Sequence, residues 1–353
     1  MRLTELGEFG LIERFAARAR AAVGGATGGD PIGAAPTGAS YEARPPVVGI
    51  GDDAAVLDLP AGQRAVLTCD AMVEGRHFRT DLLGPEQIGR RAAGAALSDM
   101  AAMAAAPLAL TVTVALRPDS DVAWADALVG GIAAKAAEHG CVLAGGDTVA
   151  TTGPVMLDIA VLGSVPPREV WLRAGARPGD VVFVSGTLGD AAAGLAALVA
   201  GLPTDEQVAF AVARYADPEP RIALARALAA AHAVGAALDI SDGLLQDAGH
   251  MAVASGVRLV LQDAALPISP ACRAVAERLG EDAARWARSG GEDFELLLAV
   301  RPDCANAATA IAERAGVPLT EIGAVVTGVG VELRDQQGAA ISAAEPGWDH
   351  FRP

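Results

Sequence analysis

The sequence predicts two domains in succession, an α+β unit followed by an α/β unit. A chain of 353 residues is longer than one hydrophobic core usually serves. Its first half mixes strand and helix patterns in an irregular order, which suits α+β rather than a regular βαβ array. A stretch rich in Pro, Arg and Gly, Val165 to Asp180, then leads into a half in which strands meet Ala-rich helices. The domains are therefore expected at 1–165 and 166–353.

At the start, Leu6, Phe9, Leu11, Ile12, Phe15 and Ala19 recur at near-helical spacing and predict a short amphipathic helix over 3–20. From Gly24 to Pro46 the composition turns to Gly, Ala, Pro, Thr and Ser without periodicity, which predicts a flexible loop. Strands are expected over 54–59 and 64–70, a helix over 85–104, a strand over 109–116 and a helix over 122–138, with strands around 142–143 and 155–162. In the second half, Val181 to Ser185 reads as a strand that turns through Gly186-Thr187-Leu188-Gly189 into an Ala-rich helix. Helices near 219–232 and 243–255, strands near 257–261 and 294–300, and a helix over 303–315 complete the α/β layer.

The hydrophobic share of 52% is ample for two cores. A formal charge of −16 and a pI near 4.7 oppose attraction to nucleic acid or an anionic membrane surface. Lys135, the only lysine, lies in a helix-like run, which excludes a Walker A motif and argues against Schiff-base chemistry. Cys69, Cys141, Cys272 and Cys304 stand far apart, and MRLTELGEFGLIERF has no signal-peptide pattern, so a reduced, cytoplasmic protein is expected. The Ala-rich stretch 92–116 is broken by Ser98-Asp99 and Pro107 and does not read as a membrane span.

Six short acidic motifs carry the chemistry: Gly51-Asp52-Asp53, Cys69-Asp70-Ala71, Ser98-Asp99-Met100, Gly145-Gly146-Asp147, Asp239 to Gly243, and Gly290 to Glu295. Carboxylates at the ends of apolar elements repel one another and are costly to desolvate, so their repetition points to cations held among them. Hard oxygen ligands suit magnesium, which commonly binds together with substrate phosphates. Residues 49–54, GIGDDA, also fit a dinucleotide fingerprint, but a strand-like AAVLDL follows where that fingerprint needs a helix, and two aspartates would face the anion.

Each motif also has a plainer reading. Asp52-Asp53 alone could be an acidic turn. Asp99, among Ala, Leu and Met, could mark a helix end supported by Ser98. The glycines before Asp147 would let a phosphate or metal approach the backbone, or simply form a turn. Asp239 and Asp242 close a strand, and the helical pattern from Leu244 to Ala254 argues against a hairpin there. Glu292-Asp293 could be a solvated strand cap. His77 follows Asp70 closely enough to face a ligand, whereas His139, His232 and His250 read as helix-surface or core residues, and no zinc spacing is present.

Taken together, GIGDDAAVL, TCDAMVEGRHF, AAGAALSDMAAM, LAGGDT, WLRAGARPGD, GTLGDAAAGL, DISDGLLQDAGHMAVASG, GGEDFELLLAV and GWDHF resemble the thiamine-monophosphate kinase family. The resemblance runs from about Leu6 to Phe351 and leaves 24–46 as an insertion. Several of these motifs belong to a wider superfamily with aminoimidazole ribonucleotide synthetase, selenophosphate synthetase and a hydrogenase-maturation protein. VEGRHF, GGEDFEL and GWDHF in combination are more specific. The N-terminal arm lacks the Cys and Lys of selenophosphate synthetases, and the chain ends in Arg352-Pro353 without the terminal cysteine of the hydrogenase-maturation protein.

The resemblance implies an aminoimidazole ribonucleotide synthetase-like fold, with an N-terminal α+β half that dimerises through a shared β-barrel and a C-terminal α/β half packed against it. It implies ATP in a cleft with several Mg ions on its phosphates. Asp52, Thr68, Asp70, Asp99, Asp147, Asp239 and Asp242 then resemble metal ligands, with Asp99 and Asp242 essential to catalysis. Gly146, Asp147, Arg173 and Ser241 resemble nucleotide contacts, and His77, Glu292 and Trp348 substrate contacts. The implied reaction transfers the ATP γ-phosphoryl group to thiamine monophosphate. An ATP-dependent ligase or cyclase of the same superfamily and a non-catalytic Mg-ATP binding protein are the alternatives.

Overall fold

The structure, a computed structural model, describes residues 1–25, 46, 47, 49, 50 and 54–341. Asp52 and Trp348, and nearly all of the expected 24–46 loop, lie outside the described residues. The chain forms two compact units, Met1–Met100 with Ala105–Pro167, and Ala101–Ala104 with Arg168–Pro353. Among the described residues no helix is long and apolar enough to cross a membrane.

In the first unit the helices are α1 (Leu3–Gly25), α2 (Pro85–Ala102) and α3 (Val122–Glu138), and the strands are β1 (Arg64–Val73), β2 (Ala106–Leu116), β3 (Val142–Ala150) and β4 (Met156–Val165). The strands form a sheet in the order β1-β4-β2-β3, antiparallel except for the parallel pair β2–β3. Helix α1 buries Leu11, Phe15 and Ala19, one stripe at helical spacing. Its Arg14 and Arg18 reach Asp126 of α3 at 3.0 and 2.7 Å. Helices α2 and α3 approach backbone to backbone: a Cβ on Gly89 would stand 2.0 Å from Leu128 O, and one on Gly131 2.2 Å from Glu86 O. Only glycine allows that crossing.

One expected strand is absent. Residues 54–59 do alternate, with Ala55 and Leu57 packed against Ala109, Val142 and Ala144, but they form no strand. Val56 forms an isolated bridge, its carbonyl accepting from Val47 N at 2.8 Å, and among the described residues no strand of the sheet pairs with this segment to supply a ladder. The segment around 142–143 is longer than expected, so Gly145-Gly146-Asp147 lies inside β3 rather than in a turn.

The second unit runs β5 (Val181–Ser185), α4 (Asp190–Ala200), α5 (Glu206–Ala216), α6 (Ile222–Ala230), β6 (Val234–Ile240), α7 (Leu244–Ser255), β7 (Arg258–Gln262), α8 (Pro270–Leu279), α9 (Ala283–Ser289), β8 (Glu295–Val300), α10 (Ala305–Arg314), β9 (Leu319–Val326), β10 (Gly330–Arg334) and β11 (Ala340–Ile341). Its sheet has the order β11-β10-β7-β9-β5-β8-β6, and only β7–β10 is a parallel pair. Every residue of β8 is buried. Val182, Val184, Leu238, Ile240, Leu259, Leu261, Leu297 and Ile322 form one apolar face, and Leu244, Ala248 and Met251 of α7 cover it. A smaller core joins α4, α5 and α8 through Ala193, Ala197, Val208, Ala211, Cys272 and Val275.

Candidate active site

In the first unit, β1 alternates between outward Leu67, Cys69 and Ala71 and less exposed Thr68, Asp70 and Met72. Thr68 Oγ1 donates to Asp99 Oδ2 of α2 at 2.5 Å. Asp70 stands two residues on from Thr68, on the same face. Thr68, Asp70 and Asp99 are thus assembled by one strand and one helix. Ser98, beside Asp99, is fully buried, and the cluster offers only hard oxygen donors.

The turn after β1 carries His77. Val73 N donates to His77 Nδ1 at 3.0 Å, so Nδ1 is the acceptor and the ring proton sits on Nε2. The turn is closed by Gly75 N to Phe78 O and His77 N to Val73 O. Sequence reasoning missed its anchor, Glu74. Thr80 Oγ1, Val155 N and Arg117 donate to Glu74 at 2.8, 3.0 and 2.5 Å, fastening the turn to the end of β2 and the start of β4. Burial works against the charge, but these bonds win and hold the Glu74 carboxyl below the usual range.

Asp147 is placed differently. The register sets Ala71, Asp158, Thr113 and Asp147 in one cross-strand row, whereas Asp70, Ile159, Val112 and Gly146 form the adjacent row on the other face. Asp147 is therefore carried on the face opposite Thr68 and Asp70, beside Thr113, with Asp158 one strand further on. A Cβ at Gly146 would stand 2.1 Å from Val112 O, so the strand pairing itself requires that glycine.

In the second unit, buried Asp239 lies near the end of β6 and Ser241-Asp242-Gly243 turns into α7. Glu292 N donates to Ser241 O at 2.7 Å and Phe294 N to Ile240 O at 2.9 Å, so the GGEDFE segment lies directly along this turn. Glu292 and Phe294 adopt φ of 71° and 51°, left-handed backbone that non-glycine residues rarely take and that clusters at functional sites. Asp293 and Glu295 hold the segment in place. Asp293, deeply buried, accepts from Gly189 N at 2.7 Å and Ala191 N at 3.2 Å, capping α4. Burial outweighs those bonds and pushes its carboxyl up to about 8.

Fully buried Glu295 accepts from Arg214 at 2.6 Å, from Arg221 Nε at 2.7 Å and from Ser185 Oγ at 2.5 Å. Two carboxylates of this motif, Asp293 and Glu295, are thus engaged in holding the fold. Arg173 lies in an exposed bend tied to the end of α7, where Ser255 Oγ donates to Arg173 O and accepts from Gly175 N and Ala176 N. Asp247, also unforeseen, accepts from the backbone of Ser241, Asp242 and Gly243. Its signal was an acid in the first turn of a helix, a common N-terminal feature.

Residues 51–165 match the AIR synthase related protein N-terminal domain, and residues 177–336 match the C-terminal domain of the same class. Two matched domains on this α+β and α/β architecture define an AIR synthase-related protein. Thiamine-monophosphate kinase of Caulobacter vibrioides is 40% identical over 301 residues, covering 85% of this chain and 84% of that relative. The crystal structure of thiamine-monophosphate kinase from Stenotrophomonas maltophilia K279a is 35% identical with a TM-score of 0.79, covering 93% of this chain and 97% of that one. AaThiL complexed with AMPPCP and TMP is 28% identical with a TM-score of 0.73 and matches 99% of both chains. The chain belongs to the thiamine-monophosphate kinase family.

Proposed function

We infer that this protein is an ATP-dependent kinase that transfers the γ-phosphoryl group of ATP to the phosphate of thiamine monophosphate, yielding thiamine diphosphate and ADP. The observation that carries the reading is the match over nearly the whole of both chains to AaThiL, a structure complexed with AMPPCP and TMP. In the transfer, the bond from the γ-phosphorus to the β–γ bridging oxygen breaks and one to an acceptor phosphate oxygen forms. The acceptor is already an anion at neutral pH, so no strong base is needed. The obstacle is repulsion between two phosphates, which positioning and electrostatic stabilisation overcome.

Thr68, Asp70 and Asp99 in one unit, and Asp239 and Asp242 in the other, have the donor chemistry to hold magnesium. Magnesium held there would supply positive charge to offset that of the phosphates. Asp52 and Asp147 join this set on residue type and motif alone, since one lies outside the described residues and the other on the opposite sheet face. Gly146, Arg173 and Ser241 are proposed for the nucleotide, and Glu292 and Trp348 for the thiamine phosphate. His77, with its proton fixed on Nε2, is suited to donate to an acceptor oxygen.

A homodimer is proposed through the open face of the first sheet. Leu67, 74% exposed, Val149 and Met156 share that face, and among the described residues β1 is a ten-residue edge strand with one side unpaired. Exposed apolar edges of this kind call for a partner. Four free cysteines fit a reduced, cytoplasmic setting. Incubation with ATP, magnesium and thiamine monophosphate tests the function: thiamine diphosphate is the expected product. Turnover of an aminoimidazole substrate in its place would shift the assignment to a ligase or cyclase.

A further inference from the structure

The loop Ser241-Asp242-Gly243 turns its backbone N–H groups inward. Three successive amides converge on a single atom, Asp247 Oδ2, at 3.1, 3.0 and 3.1 Å. Gly243 supplies the φ of 116° that lets the chain enter α7 in this shape, and Asp247 N returns a bond to Gly243 O at 3.0 Å. Consecutive amides at the start of a helix form a concavity that favours an anion, and elsewhere such a nest binds phosphate. Here the anion is the protein's own. With its amides occupied, this loop has its side chains to offer: the carboxylate of Asp242, steadied by Gln246 Nε2 at 3.0 Å, and the hydroxyl of Ser241.

We propose that Asp247 is a positioning residue that fills the amide nest of the Ser241–Gly243 loop, so that the loop meets the nucleotide through cations held by its carboxylates and not through its own N–H groups. Asp247 acts through the backbone it holds. The part of the role that concerns cations rests on the reading of Asp239 and Asp242 as metal-holding groups, whereas the nest does not. A carboxylate inside the nest leaves no room there for a phosphate oxygen. The geometry also asks for an acceptor oxygen at this point and not for charge as such, so asparagine, nearly the same shape, should serve and alanine should not.

The test compares wild-type protein with Asp247→Asn and Asp247→Ala by amide hydrogen exchange across 240–246 without metal, and by the Mg concentration that gives half-maximal thiamine diphosphate formation. Exchange in Asp247→Ala is expected to rise by about two- to tenfold, the scale of one lost hydrogen bond between uncharged groups. Its Mg requirement should rise by a similar factor, with Asp247→Asn close to wild type in both. Unchanged exchange in Asp247→Ala, or fast exchange in Asp247→Asn, would overturn the proposal. If the alanine variant does not fold, Asp247→Asn decides on exchange alone. If the wild type makes no thiamine diphosphate, the kinase reading fails while the exchange result still decides the nest.

Discussion

Single residues carry the strongest expectations. Asp99 accepts from Thr68 at the junction of α2 and β1, beside Asp70, and these oxygen donors suit a hard cation. Asp99→Asn keeps the shape and the bond from Thr68 but loses the charge. Steady-state kinetics should show kcat lower by about 10²-fold or more, the scale of a lost electrostatic contact at a reacting group. Normal turnover would remove Asp99 from the site.

Asp293 gives a pH signature. Its carboxyl sits at about 8 in the fold against an ordinary 3.8, so between those values the folded protein retains a proton that the unfolded chain has released. Stability therefore falls as pH rises through that window, and the contribution is fully present only below it. Asp293→Asn cannot ionise and should give a flatter profile of melting temperature between about pH 4 and 8. Parallel profiles for the two proteins would contradict this. Of these residues, Asp99 stood out in the sequence because a charge among Ala and Met needs a reason. Asp293 and Glu295 looked like Glu292, since nothing in GGEDFE reveals which carboxylate will meet Gly189, Arg214 and Arg221 from distant parts of the chain.

At the scale of elements, periodicity was a good guide where burial is one-sided and a poor one where pairing decides. The expected strand at 64–70 appears as β1, and the Ala-rich 85–104 pattern as α2. Residues 54–59 alternate as a strand should, yet hydrogen bonding needs a neighbour that sequence cannot supply. The face that carries Asp147 was equally hidden, because it depends on the register shift between Leu110 and Thr111. Helix crossing was not legible: glycine is a poor helix former, yet Gly89 and Gly131 lie inside two helices because they are where α2 and α3 touch. A methyl group at either must push the helices apart. Gly89→Ala should lose about 1–3 kcal/mol of stability in urea unfolding, the usual cost of overpacking. A gain, as expected for alanine in an uncrowded helix, would show that the approach is looser than described.

For the whole molecule, the acidic composition argues against attraction to nucleic acid, and the motifs together pointed to the family where each alone was ambiguous. What the sequence could not show is that, among the described residues, the first sheet leaves Leu67, Val149 and Met156 exposed on one face beside a long edge strand. If a second copy covers that face, Leu67→Asp should convert a dimer to a monomer in light scattering after size exclusion. A dimer that survives the charge would place the interface elsewhere, and a monomeric wild type would remove the dimer altogether.

Direct phosphoryl transfer between two phosphates is the step on which the proposed function stands. The most direct measurement follows ATP labelled at the γ-phosphate, with thiamine monophosphate and magnesium, and locates the label after the reaction. Direct transfer puts the label in the terminal phosphate of thiamine diphosphate, one for each ADP formed, and none when magnesium is chelated. Label released as inorganic phosphate, with no thiamine diphosphate formed, would contradict it.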